Sequence, residues 1–386
     1  MNTIQYIGID VDKDKCNITT IDENGEEIEQ YHIENNTKEL NKFIKKTPQD
    51  AEIAMESSTC SKPIYWMLKK KGLKVYMAAP GKIKLISQSK KKTDPHDSRL
   101  LADLLRLNYL PKSYVPTEDI EDLRKLLRHR KNLGEKRTMT KNQIHAILQR
   151  NGIKHGFTDL FGRDGIQFLK QQNLPQLEEI ILQGCIRELG FFSYEINITD
   201  MRLAAIAETD KQTRLLMSIP GVDYYSALVI LSEIGDIYRF PNAKKLVGYA
   251  GLAPRVYQSG KTKHHGHISK DGPSILRWVL TLSSHGVIKK PGKLRRFYLR
   301  LSKRIGKSKA IVATARKLLI IMYHMLTKQV EYEERDDDLT SRKIKRMKAK
   351  SQRMHRLKET GKLRNEHYET LAEKGITMLI NSKSVI

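Results

Sequence analysis

The chain opens on apolar, β-branched positions. TIQYIGIDV at 3–11 reads as a strand, and CNITTI and EEIEQYHI after it alternate apolar with polar residues. Asn24-Gly25 lies between those two runs and predicts a hairpin with a primed turn. A helical stretch follows over 37–46, then AEIAME as a short buried strand, a helix near 62–71, and LKVYMAA as another short strand. Loop or helix continues to the basic run Lys90, Lys91 and Lys92. A hairpin followed by alternating helices and strands predicts an α/β domain.

The pattern changes after about residue 115. Ile120, Leu123, Leu127, Leu133, Ile144 and Ile147 recur at helical spacing, with Arg124, Arg128, Arg130, Lys131, Lys136 and Arg137 between them. A second such segment runs over 176–216, through Leu182, Ile186, Leu189, Ile196 and Leu203. The intervening 151–175 is rich in glycine and reads as loop. Two long amphipathic helices beside a loop-rich insert predict a helical arm. It is either a dimerising coiled coil or a hairpin packed on its own domain. From 214 to 330 the pattern is helical again, broken by turns at Pro220-Gly221, Pro254, Ser259-Gly260, Asp271-Gly272-Pro273 and Pro291-Gly292. Residues 342–366 are almost uniformly basic and read as a surface helix or a disordered arm on phosphate. The expected segments are therefore 1–113, 114–212, 213–330 and a basic tail, 331–386.

Composition narrows the partner. The 386 residues suffice for two or three domains, and 70 Lys plus Arg against 44 Asp plus Glu leave a net charge of +26. Such an excess calls for a polyanion, and nucleic acid fits better than an acidic membrane surface, because neutralising phosphates releases counterions. No uninterrupted apolar stretch stands out as long enough to span a bilayer. The N-terminus begins directly with the strand pattern and not with a signal sequence. Cys16, Cys60 and Cys185, widely spaced and odd in number, argue against a disulfide framework and a zinc site. A soluble, cytoplasmic chain is expected.

Four carboxylates carry the candidate chemistry. Asp10 ends one apolar strand and Glu56 another, while Asp94 and Asp97 lie three apart at a helix start and share one face. Clustered acids repel one another unless a divalent cation neutralises them, and oxygen-only ligation suits Mg²⁺ or Mn²⁺ acting on a phosphodiester. Blander readings stand beside this one. Asp94 before Pro95 is a favoured N-cap pair, and Glu56 also reads as a surface acid at a strand end. Asp10, between apolar strand residues, needs a partner.

These residues also carry a resemblance. GIDVDKDKCNI, MESS and KTDPHDSRLLADLL resemble the DEDD transposases of the IS110 type of insertion sequence. The C-terminal block IPGVDYYSALVILSEIGDIYRFPNAKKLVGYAGLAPRVYQSGKTKHHGHISKDGPSILRWVL is similar to that family's second domain. The likeness covers roughly 4–110 and 213–325, in the family's order. It implies an N-terminal α/β domain of the ribonuclease-H-like, RuvC-like kind, then a long-helix coiled-coil region and a mostly α-helical C-terminal domain. It also implies that Asp10, Glu56, Asp94 and Asp97 hold Mg²⁺ or Mn²⁺, and that Ser259 is the nucleophile forming a phosphoserine bond to DNA. The implied partners are double-stranded target and donor DNA, a structured non-coding guide RNA, and further copies of the chain as a dimer or tetramer. One departure concerns the Pro-Gly turn, where Asp223 stands in place of the usual second glycine. An acid there weakens a phosphate clamp at 219–223 and favours a packing turn.

Taken alone, Ser259-Gly260 is an ordinary turn signal. No histidine-plus-acid pair is legible beside Ser259, and His264, His265 and His267 read as a basic loop on phosphate. Lys90, Lys91, Lys92, Arg99, Arg124, Arg128, Lys131, Arg255, Lys261, Lys263 and Arg277 are the candidate nucleic-acid contacts. Two other classes stay open: a junction nuclease using metal-activated water, and a basic scaffold whose acids only cap and pair.

Overall fold

The computed structural model describes residues 4–86, 94–259 and 262–359. Lys90, Lys91, Lys92 and Lys261 lie outside the described residues, and so do the side chains of Asp94, Ser259 and Lys263. The chain forms two compact units that divide between Glu118 and Asp119.

The first unit runs β1 (Tyr6–Val11), β2 (Lys15–Ile21), β3 (Glu27–Glu34), α1 (Thr37–Lys46), β4 (Glu52–Glu56), α2 (Ser61–Lys70), β5 (Lys74–Ala78), α3 (Pro80–Ile86) and α4 (Asp94–Arg106). Its sheet has the order β3-β2-β1-β4-β5. The first three strands pair antiparallel, and β4 pairs parallel with both β1 and β5. This is the mixed α/β domain that the patterning predicts.

β1 is central because both of its faces are covered. Ile7 and Ile9 cluster with Ile53 and Met55 of β4, Phe43 of α1 and Leu68 of α2. The opposite face carries the small residues Gly8, Ala54 and Ala78 and receives α4, whose Leu101, Leu104 and Leu105 pack on Ala54 and Ala78. A Cβ on Gly8 would stand 1.9 Å from the carbonyl oxygen of Ser98, so only glycine admits the helix this closely. Ser98 Oγ and Thr19 Oγ1 are 2.7 Å apart, a buried hydrogen bond that fixes the helix against β2.

The β2–β3 turn differs from the primed turn expected. Gly25 has φ 90°, but Asn24 is not in the left-handed region. Asp22 instead accepts the N–H groups of Asn24 at 2.9 Å and Glu26 at 2.8 Å, and Gly25 N–H bonds the Asp22 carbonyl at 3.2 Å. The Asp22 carboxylate thus organises a longer turn with a single left-handed glycine.

The second unit contains α5 (Glu118–Arg150), α6 (Arg163–Lys170), α7 (Gln176–Thr209), α8 (Lys211–Met217), α9 (Tyr224–Ile234), a 3-10 turn (Ile237–Arg239), α10 (Ala243–Tyr249), β6 (Pro254–Ser259), β7 (Thr262–Ile268), α11 (Ser274–Val287), α12 (Lys293–Ile305), α13 (Lys307–Lys328) and α14 (Asp337–Glu359). α5 and α7 are the two long helices of the arm. Ile144, Ile147 and Leu148 meet Leu182, Cys185 and Leu189, with Leu160 and Leu169 of the insert joining them. At the other end Leu127, Leu203 and Ala204 enter the main core with residues of α9, α11 and α13. The hairpin is therefore packed on its own domain. By length and composition α13 is apolar enough to cross a membrane, although Arg316 and Lys317 interrupt its apolar run. Its Leu318, Leu319, Met322 and Leu326 are buried in that core. α14, expected as a surface helix or an arm, buries Met347, Ser351 and Met354.

Candidate active site and nucleic-acid interface

Register and close approach decide where the acids lie. Asp10 is two residues beyond Gly8 and shares its face of β1, the face that α4 covers. Gly8 pairs with Ala54 in the parallel β1–β4 register, so Glu56, two residues beyond Ala54, projects to that face as well. Both acids stand at the C-terminal ends of their strands. α4 begins at Asp94 and Asp97 lies in its first turn, one residue before the Ser98 contact with Gly8. Three positions on two strands and a helix N-terminus are thereby gathered at one edge of the sheet. Among the described residues, however, no three His, Cys, Asp or Glu side chains come within metal-ligating range of one another.

The donor chemistry of this edge suits a hard cation. Asp10, Glu56 and Asp97 offer carboxylate oxygens only. Beside Asp10 in the β1–β2 register is Asn17, which is buried and whose Nδ2 has no hydrogen-bond partner among the described residues. A buried amide without a partner is costly, and this one marks the carboxylate edge as polar. Asn17 is not legible in sequence, because a single asparagine in an alternating strand carries no signal of its own. Cys16 is buried on the other side of the strand pair, and burial together with Asp10 and Asp12 pushes its thiol up to about 11. At that pKa the thiol is protonated at neutral pH.

Around Ser259 the sequence predicts turns between helices, and the structure has a two-stranded hairpin instead. Ser259 pairs with Thr262 at the tip, and Tyr257 and Val256 pair with His264 and His265. The histidine-rich segment is thus a strand, not a loop. Alternation of Val256, Gln258, Lys263 and His265 with other residues at period two is obscured by its cations. Ser259 is held at the end of a ladder anchored in the helical unit through Ile268, which packs on the core.

The candidate phosphate contacts divide by burial. Arg124 is buried and donates to the carbonyls of Ser232 at 2.8 Å and Glu233 at 3.1 Å, closing the C-terminal end of α9. Arg128 bonds the Glu233 carboxylate, and Lys131 pairs with Glu135 one turn along. Arg99 pairs with Asp103 on its own helix at 3.0 Å and ties α4 to the β2–β3 turn through Glu27 at 3.4 Å. Arg277 Nη1 gathers the carbonyls of Ala250 at 3.2 Å and Gly272 at 2.9 Å. Arg255 is exposed and bonds the Ser269 carbonyl at 3.2 Å. A basic surface that the sequence pattern does not single out is α12. Leu294 is its one buried residue, no acid lies on it, and Arg295, Arg300, Lys303 and Arg304 are exposed.

The Pro220-Gly221 turn is a packing turn. Gly221, at φ 84°, would place a Cβ 2.7 Å from the Ser283 carbonyl and from Cα of Gly286 on α11. Asp223 caps α9 by accepting Ser226 N–H at 2.8 Å. The carbonyls of Met217, Ile219 and Val222 all converge on the Lys343 ammonium of α14. Burial pushes the Lys343 pKa down to about 8, against the opposing pull of Asp223 and Asp336.

Comparison with known proteins extends this picture. A family model described as a DEDD transposase of the IS110 type matches residues 7–152, and a second, described as transposases of the IS116/IS110/IS902 family, matches 213–299. The chain is similar to the transposase for insertion sequence element IS1111A of Coxiella burnetii, at 25% identity over 349 residues, covering 86% of this chain and 92% of the relative. It is also similar to the transposase for insertion sequence element IS1533 of Leptospira borgpetersenii, at 27% identity, covering 72% of this chain and 83% of the relative. An uncharacterized 43.6 kDa protein of insertion element IS110 from Streptomyces coelicolor is 32% identical over 41% of this chain and 39% of its own length.

Proposed function

Because the chain belongs to the IS110 family of transposases, enzymes that cleave and rejoin DNA, we propose that it recombines DNA through a serine, with the carboxylate edge of the sheet as the other half of the chemistry. The α/β unit is then a ribonuclease-H-like domain of the RuvC kind. Its strand order, with three antiparallel strands followed by two parallel ones, supports that assignment. The observation that carries the proposal is the gathering of Asp10, Glu56 and the first turn of α4 on one face at one sheet edge.

Asp10, Glu56, Asp94 and Asp97 would hold Mg²⁺ or Mn²⁺, which when bound lowers the charge on the phosphate and stabilises the attacking and leaving oxygens. Ser259 Oγ attacks phosphorus, an Oγ–P bond forms, and the P–O bond to the departing sugar oxygen breaks. The hydroxyl proton passes to solvent and the leaving oxygen takes one up. The phosphoserine bond conserves the energy of the diester, so reversal onto a second strand rejoins DNA without a high-energy cofactor. Arg255, Lys261 and Lys263 flank this position in sequence and would offset the charge of the transition state. The second partner is a structured non-coding RNA, which pairs with target and donor and leaves the protein to grip phosphate. The net charge of +26 is consistent with two polyanions.

Assembly into dimers and tetramers is part of the same proposal. α7 keeps Leu177, Ile180 and Ile181 at 75%, 58% and 51% exposure, an apolar stripe that a second copy would cover. Incubation with labelled donor DNA and Mg²⁺ tests the chemistry. The wild-type chain forms a covalent protein–DNA adduct, and Ser259→Ala forms none. Cleavage at full rate by Ser259→Ala would point to a water-using nuclease and end the serine mechanism.

A further inference from the structure

α11 has two faces of different kinds. Ile275, Leu276, Val279, Leu280 and Ser283 point into the core. Trp278, Leu282 and His285 follow one another at helical spacing on the opposite side, where polar residues are the norm. Trp278 is 39% exposed and Leu282 51%. Together with Ile268 at the end of β7 they line an open groove of about 410 Å³ at the base of the β6–β7 hairpin, with Lys270 and Arg277 on its wall.

Charge narrows what can occupy the groove. Among the described residues no acidic side chain lines it. Beside the groove the Lys131 ammonium, paired with Glu135, lies over the Trp278 ring at 5.4 Å from its centre. Lys270 is held at φ 58°, a left-handed conformation uncommon for residues other than glycine. An apolar protein surface seated here would desolvate Lys270 without giving it a counter-charge, and would desolvate the Lys131–Glu135 pair as well. A nucleotide satisfies both halves of the site, because its base has a flat π face for the indole and its phosphate meets the ammonium groups. Bases in a duplex are stacked on one another, so the base must come from a strand that is unpaired at that point.

We propose that the Trp278 groove receives an unstacked base of single-stranded DNA, stacked on the indole with its phosphates against Lys131 and Lys270. The groove lies at the base of the hairpin that carries Ser259 at its tip. The inference rests on the chain acting on DNA and not on the serine chemistry.

Fluorescence separates the two. The chain has two tryptophans, so the full-length Trp66→Phe, Ser259→Ala chain reports from Trp278 alone and cannot form the adduct. Titration with a short single-stranded oligothymidylate quenches its emission to saturation. An abasic strand of the same length binds more weakly and leaves the emission unchanged. With a fluorescein-labelled strand read by anisotropy, Trp278→Ala weakens binding about tenfold and Trp278→Phe less than about threefold. Four results overturn the proposal: equal quenching by the abasic strand, unchanged affinity in Trp278→Ala, tighter saturation by oligouridylate, or quenching on concentrating the protein alone. The third would make the ligand RNA, and the fourth a second copy of the chain.

Discussion

Replacing Lys343 with methionine tests how the Pro220-Gly221 turn is held. The side chain keeps its length and loses the ammonium. Three backbone carbonyls, of Met217, Ile219 and Val222, then lose a donor. Ile219 retains the Val222 N–H at 3.1 Å, so at most two carbonyls are stranded. A buried carbonyl left without a partner costs about 1–3 kcal/mol. Relief of the buried ammonium offsets part of this, and the net expected loss is about 2–3 kcal/mol. In a unit of this size that lowers the melting temperature by roughly 4–12 °C. The assay is thermal unfolding followed by circular dichroism, with the exposed Lys348→Met on the same helix as control. Equal melting of Lys343→Met and the control would refute the claim that the ammonium holds the turn.

Titration of the same lysine gives a second expectation. Its folded pKa, about 8, lies below the ordinary 10.5. Below pH 8 both folded and unfolded chains carry the proton. Between about 8 and 10.5 the unfolded chain holds it more tightly, so stability rises with pH there, by on the order of 1 kcal/mol after solvent screening. The amine still donates to two carbonyls, so deprotonation does not mimic truncation; denaturant midpoints in Lys343→Met should lack this rise. Gly8→Ala should push α4 off β1, destabilise the first unit by about 1–3 kcal/mol and abolish recombination, as read by urea unfolding and a strand-transfer assay. Replacing Arg295, Arg300, Lys303 and Arg304 on α12 with glutamine should lower the slope of log affinity for DNA against log salt by about 0.9 for each phosphate no longer neutralised. An unchanged slope would show that α12 does not touch the backbone.

Much of the first unit is legible in sequence because its elements are short and strongly patterned. The period of two in β2 and β3, and the apolar runs of β1, β4 and β5, identify strands without outside help. Asp10 is legible for the same reason, as an acid in an apolar strand. Sheet order is not, because it depends on which small residues admit α4, and Gly8 gives no hint in sequence that it faces Ser98. The hairpin at Ser259 escapes notice because its alternating positions are cations and histidines, whose stems are apolar and whose tips are not. Asn24-Gly25 misleads on turn type, since Asp22 two residues earlier supplies a carboxylate that stabilises a different turn.

The cations show where sequence charge and structural role part company. Arg124 and Arg277 read as phosphate ligands in sequence because they are basic and stand in basic neighbourhoods. Both lie on helices whose apolar faces are buried, and a guanidinium near such a face meets unpaired carbonyls before it meets solvent. Its planar fork suits them as well as it suits a phosphate, so Arg124 closes α9 and Arg277 binds the carbonyls around Gly272. α12 is the opposite case. With a single buried residue it has almost no interior for its cations to serve, and Arg295, Arg300, Lys303 and Arg304 remain exposed. Net charge therefore argues for a polyanionic partner, while the burial of the helix that carries each cation decides which ones can reach it. By that criterion α12 is a better candidate for the DNA or RNA backbone than Arg124, Arg128 or Arg99.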